Sequence, residues 1–169
     1  IKRYNLKNWV KRIKRLFTRS KASKSWCMSH AMEPMGIKTP EPMAFIEERM
    51  GPFRLRSYFV AKFTEGERLD HLVKDELSSD MLSKIAQALY ELMQALKASS
   101  CYHGDLKASN LLWDGEALIL LDCDAAAFYR KPATFEVMHA KDWARLKRNF
   151  DPMHPLYQQL LRFEGEYHD

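Results

Sequence analysis

Between positions 103 and 122 the chain collects three groups that could act on a phosphate ester: the carboxylate of Asp105, the carboxamide of Asn110 and the carboxylate of Asp122. Moving a phosphoryl group off a nucleoside triphosphate requires little covalent help from a protein. It requires a carboxylate to orient the attacking hydroxyl and take its proton, oxygen ligands for magnesium, and a cation on the nucleotide's phosphates. The spacing supplies the first two. Leu111-Leu112-Trp113, Asp114-Gly115 and residues 116–121 read as two apolar strands joined by a tight Asp-Gly turn. Asn110 enters the first strand and Asp122 leaves the second, so an antiparallel hairpin returns both oxygens to one end. Asp124 adds a third carboxylate beside them.

These groups need elements to hold them. Ser78 or Ser79 caps a long helix whose Leu82, Ile85, Leu89, Leu92, Met93 and Leu96 recur at helical spacing, the pattern of a buried core helix. Residues 101–110 follow as a polar loop. Upstream, residues 1–5 read as the end of a strand and residues 6–17 as an amphipathic helix, with Trp9, Ile13, Leu16 and Phe17 on one stripe and basic residues elsewhere. A second helix spans about 20–32 and stops at Pro34 and Gly36. Thr39-Pro40-Glu41-Pro42 turns into strands over 43–48 and 56–63, joined around Gly51-Pro52. Residues 64–67 are polar and bendable, the best place for a hinge, and a short helix is expected over 69–77. From about residue 136 the chain reads as helical, interrupted at Asp151-Pro152 and Pro155.

Length and composition bound the rest. The 169 residues suffice for one domain with a core, or two small lobes sharing one, and 46% apolar residues argue for packing over disorder. No apolar run is long enough to cross a bilayer. Cys27, Cys101 and Cys123 form no metal-ligand pattern, and an odd, unclustered set favours reduced thiols, core positions and a cytosolic compartment. The net charge of +5 is unevenly placed: residues 1–30 hold ten Lys and Arg and no acid. Such a stretch is either a solvated helix face or a docking surface for an anionic partner, such as a phosphorylated glycolipid or a membrane surface. A nucleic-acid role would rest on charge alone and is not expected.

His103-x-Asp105-Leu106-x-x-x-Asn110 resembles the catalytic loop of protein kinases, with Gly104 where Arg is usual. The resemblance implies that Asp105 is the catalytic base, assisted by His103 and by Lys107 on the transferring phosphate, and that Asn110 and Asp122 hold Mg2+. Asp122 stands for the Asp of Asp-Phe-Gly, although the chain reads Asp122-Cys123-Asp124. The start Lys2-Arg3-Tyr4, the basic segment and Gly36-Ile37-Lys38-Thr39-Pro40-Glu41-Pro42 are similar to the lipopolysaccharide kinases of Gram-negative bacteria, over nearly the whole chain. Those enzymes phosphorylate heptose or Kdo sugars of the lipopolysaccharide inner core.

By that resemblance the fold is α+β, a two-lobed protein-kinase-like fold. Residues 1–63 are the remainder of the small lobe, lacking its first strands and Gly-rich loop, and 64–169 are the large lobe. Lys2 contacts the phosphates of ATP, the backbone at Lys62, Phe63 and Thr64 meets the adenine, and Asp142 braces the catalytic loop as structural support. The expected partner is lipopolysaccharide core glycolipid, met in the cytoplasm at the inner face of the inner membrane. Without a loop over the phosphates, this chain alone is expected to be nearly inactive. The only acid before Pro40 is Glu33, poorly placed to pair with Lys2. A kinase acting on a protein or small alcohol, and a non-catalytic kinase-shaped binding module, are the rival readings.

Overall fold

A computed structural model of the chain describes residues 1–4, 18–51, 53–74 and 76–168. The basic amphipathic helix expected over 6–17 lies outside the described residues. Strand β1 (Lys2–Tyr4) opens a three-stranded sheet ordered β1-β3-β2, all antiparallel, with β2 (Pro42–Met50) and β3 (Phe53–Ala61) forming a hairpin. Both hairpin strands run closer to the Gly51 turn than their alternation suggested, because pairing continues through Arg49↔Arg54 and Met50↔Phe53.

Helix α1 (Lys21–Met32) packs against this sheet. Ser20 caps it, its Oγ accepting the Ser23 N–H at 3.1 Å. A 3-10 turn at Glu33–Met35 ends in Gly36 with φ +73°, a left-handed stop that favours glycine. The linker beyond is tied down by the Leu120 N–H, which donates to Lys38 O at 2.8 Å.

The remainder is helical around a small sheet. β4 (Glu67–Arg68) leads into a single helical turn, α2 (Leu69–Leu72), shorter than expected because the chain turns at Val73 after burying Leu69 and Leu72. Helix α3 (Ser79–Ala98) begins at the Ser78 cap and buries Ile85, Leu89, Leu92, Met93 and Leu96, with Leu82 half-buried. Each fully buried leucine contributes about 2 kcal/mol. Beyond it come β5 (Cys101–Tyr102), the hairpin β6 (Leu111–Trp113) and β7 (Leu118–Leu120), and β8 (Ala127–Phe128), which pairs with β5. The sheet order is β4-β6-β7.

Helix α4 (Pro132–Lys147) starts at its proline, four residues before the sequence suggested, and α5 (Pro155–His168) closes the chain against α3. The buried face of α4 is Phe135, His139, Asp142, Trp143 and Leu146. Cys101 and Cys123 are buried in the core, and burial pushes both thiols up to about 12, so they are packing groups and not nucleophiles. Among the described residues no helix is long and apolar enough to cross a membrane.

Candidate active site

The hairpin does what the Asp-Gly turn implied. Asp114 Oδ1 accepts the N–H groups of Glu116 and Ala117 at 2.9 and 2.7 Å, fixing the turn, and Leu111 pairs with Leu120. One residue further out, the Leu121 N–H donates to Asn110 O at 2.8 Å. Asn110 and Asp122 therefore meet at one end, beside Asp105. The Asn110 carboxamide N–H donates to Asp105 O at 2.9 Å and to Asp105 Oδ2 at 3.2 Å.

Asp105 is surrounded asymmetrically. Lys107 Nζ lies 2.9 Å from Oδ2, the oxygen that Asn110 also reaches, and Arg145 Nε lies 3.9 Å from Oδ1. Burial opposes ionisation of this carboxyl, but Lys107, Asn110 and Arg145 together outweigh it and hold it below its ordinary value. Asp105 is thus a carboxylate at neutral pH.

Two groups hold the loop in place. Asp142 is fully buried; its Oδ2 accepts the His103 N–H at 2.7 Å and the Gly104 N–H at 3.1 Å. Arg145, one turn on, donates from Nη1 to Gly104 O at 2.6 Å and to Asp142 Oδ1 at 3.2 Å. Asp142, expected from the resemblance to brace the loop, lies on the buried face of α4 and bonds the loop's backbone directly. His103, grouped by the sequence with the catalytic residues, has no exposed surface and cannot touch substrate. Burial keeps its ring neutral, and Nε2–H donates to Leu121 O at 2.9 Å, clamping loop to hairpin. Gly104, with φ +81°, has room for no side chain: a Cβ there would lie 2.9 Å from Ala125 O and 3.0 Å from the Tyr102 ring.

Lys2 reaches across from β1 and ion-pairs with Asp122 Oδ2. The acid that pairs with Lys2, which no helix residue could supply, is therefore Asp122 itself. Asp122 sits in the left-handed region, φ 60° and ψ 54°, a conformation costing a non-glycine residue roughly 1 kcal/mol. Among the described residues its Oδ1 is buried without a hydrogen-bond partner. Lys21, at the start of α1, pairs with Asp124 at 2.6 Å. Both lysines also face the ring of Tyr4, at 5.1 and 5.5 Å from its centroid, and the Tyr4 hydroxyl meets Ser25 Oγ at 3.1 Å. Burial drives the Tyr4 phenol up, so it stays neutral.

A cleft of about 530 Å³ joins Lys2, Asn110 and Asp122 to Lys62, Phe63 and Thr64. The Lys62 N–H is committed to Glu41 O at 2.9 Å, whereas no backbone bond among the described residues falls on Phe63 or Thr64. Both line the cleft, and Phe63 is 86% exposed. Another cleft, of about 610 Å³, lies between α1 and the 36–42 linker and is lined by none of Lys2, Asp105, Asn110 and Asp122.

The donor set suits magnesium. An orphaned carboxylate oxygen on Asp122 and the carbonyl oxygen of Asn110 are hard oxygen ligands, and magnesium keeps waters for its other positions. Among the described residues no three His, Cys, Asp or Glu cluster so as to hold a metal ion by themselves. Lys21, Asp124 and Arg145 were not singled out from the sequence for a role. Asp124 stood out only as an extra carboxylate, Lys21 was one of a run of cations, and nothing in the spacing joined Arg145 to Asp105.

The sequence profile of the lipopolysaccharide kinase (Kdo/WaaP) family matches residues 2–167. A curated relative, the "Probable bifunctional tRNA threonylcarbamoyladenosine biosynthesis protein" of Methanosarcina mazei, is 32% identical over 167 residues. That match covers 98% of this chain and 26% of the relative, so the chain spans about a quarter of that protein's length.

Proposed function

The chain belongs to the lipopolysaccharide kinase (Kdo/WaaP) family, and from that premise we propose that it transfers the γ-phosphoryl group of ATP to a sugar hydroxyl, of heptose or Kdo, in the lipopolysaccharide inner core. The observation that carries the kinase chemistry is the contact of Asp105 with Asn110, beside an Asp122 whose Oδ1 has no hydrogen-bond partner among the described residues. On this reading residues 1–63 and 64–169 are the two lobes of a kinase-like fold, with the cleft between them taking ATP.

Asp105 orients the acceptor hydroxyl and receives its proton. The hydroxyl oxygen bonds to the γ-phosphorus as the bond from that phosphorus to the bridging oxygen breaks, and ADP leaves. Asn110 and Asp122 would hold magnesium, which would supply charge neutralisation on the phosphates. Lys2 exchanges its Asp122 partner for phosphate oxygens, and Lys107 turns from Asp105 to the transferring group. Phe63 and Thr64 meet the adenine through their backbone. The acceptor class rests on the family, since the loop chemistry serves any alcohol. The cationic residues of the first thirty positions support docking on an anionic membrane face, and binding to anionic vesicles should weaken as salt rises.

The test is radiolabel transfer from ATP to phosphate-free core lipopolysaccharide by the full-length protein and its Asp105→Ala variant. Label on the sugar that disappears in the variant is expected. No label, with magnesium-dependent ATP binding intact, would remove the sugar acceptor and bring forward a second reading. The Methanosarcina relative supports that one: a kinase-like unit serving tRNA modification, with a different acceptor.

A further inference from the structure

We infer that Arg145 selects the acceptor by gripping an oxyanion, a carboxylate or phosphate, placed beside the hydroxyl to be phosphorylated. The inference rests on the kinase reading and narrows its acceptor to an anionic one.

The two oxygens of Asp105 are not equivalent. Oδ2 is engaged by Asn110 at 3.2 Å and Lys107 at 2.9 Å, on the side where Asn110 and Asp122 would hold metal and phosphates. Oδ1 is the oxygen left to take a proton, so the acceptor hydroxyl approaches there. The cation that borders Oδ1 is Arg145, with Nε at 3.9 Å.

Arg145 is also held in one orientation. Nη1 is spent on Gly104 O at 2.6 Å and Asp142 Oδ1 at 3.2 Å. Neither Nη2 nor Nε has a hydrogen-bond acceptor among the described residues, and the side chain is 39% exposed. Nε–H and Nη2–H lie on the same edge of the guanidinium and form a planar fork suited to two oxygens of one anion. An Arg bound only to brace the loop would need Nη1 alone. Here the second edge is turned to the oxygen that awaits the acceptor.

The test measures binding by calorimetry in the presence of magnesium and a non-hydrolysable ATP analogue, using the full-length protein. The probes are Kdo methyl glycoside, its carboxyl-reduced counterpart, and inorganic phosphate as competitor. The unmodified protein should bind the acid at least tenfold more tightly than the alcohol. Arg145→Gln should erase that preference by weakening the acid at least tenfold more than the alcohol, and Arg145→Lys should restore only part of it. Equal weakening of both sugars, or an anion preference that survives in Arg145→Gln, would overturn the assignment. Competition by phosphate confined to proteins with Arg145 would identify a phosphorylated acceptor; its absence, with acid preference intact, a carboxylated one. Acid preference without label transfer to core lipopolysaccharide would sink the lipopolysaccharide reading and leave Arg145 as the anion fork.

Discussion

Lys21, the first residue of α1, and Asp124, 103 positions later, are joined at 2.6 Å, so a helix of the sheet layer is fastened directly to the segment that carries Asp122. Asp124 is nearly enclosed, with 9% of its side chain exposed, while Lys21 remains half-open. Their neighbours Lys2 and Asp122 make a parallel pair, and Tyr4 lies against both lysines. Strand β1, helix α1 and the segment carrying Asp122 and Asp124 are thereby one charged cluster.

Breaking that tether should show in function before stability. A half-exposed lysine contributes about 1 kcal/mol or less to folding. Lys21→Ala should therefore shift Tm by only a few degrees, yet raise the KM for ATP several-fold as Asp122 loses its registry with Lys2. Lys21→Ala with Asp124→Asn should cost little more than either change alone. Strictly additive losses in kcat/KM would show that the two residues are not coupled.

Gly104 makes a sharper prediction. Its positive φ and the 2.9 Å separation from Ala125 O leave a methyl group nowhere to go but into backbone. Gly104→Ala should destabilise the protein by about 2 kcal/mol and depress kcat at least a hundredfold, because the loop must move with Asp105 on it. Urea denaturation and steady-state kinetics measure both. Near-normal turnover would mean that the loop's position is not what sets the rate.

Asp142 is the other support of that loop. Its removal strands the His103 and Gly104 N–H groups and the Arg145 guanidinium, with the His103 site fully enclosed. Asp142→Ala should therefore cost about 3 kcal/mol, read from the urea midpoint. A loss under about 1 kcal/mol would show that water replaces the carboxylate, contrary to its burial.

The hairpin and its consequence were legible because the information is local: an Asp-Gly turn between apolar strands leaves one way to bring Asn110 and Asp122 together. The long helix was legible from its stripe and its serine cap. The brace was half-legible, since Phe135, His139, Asp142, Trp143 and Leu146 recur at helical spacing, which marks Asp142 as inward-facing once α4 is extended back to Pro132. The partner of Lys2 was not legible. A search for an acid on the following helix finds none, because the pairing is made across the cleft with Asp122. Lys21 and Arg145 were hidden for the same reason: their roles depend on packing between segments about 100 and 40 residues apart, which no periodicity records.

The acidity of Asp105 gives a prediction about pH. Burial raises the cost of its charge, but Lys107, Asn110 and Arg145 more than offset it, and the folded carboxyl titrates below its ordinary value. A depressed pKa stabilises the fold above the ordinary value, and that contribution is lost as pH falls through the lower, folded one. Asp105 is substantially exposed, so the stability change is screened and small, and the clearer readout is catalysis. The base form persists into acid, so the acid limb of kcat/KM lies below the usual carboxylate range as far as Asp105 governs it. Lys107→Ala removes the strongest of the opposing interactions. Its acid limb should therefore move to higher pH, and on the proposed mechanism the neutral-pH rate should fall as well. ATP's own titration is common to both proteins and drops out of the comparison. An acid limb that stays in place or moves lower in Lys107→Ala would show that Lys107 does not set the charge of Asp105 in the free enzyme.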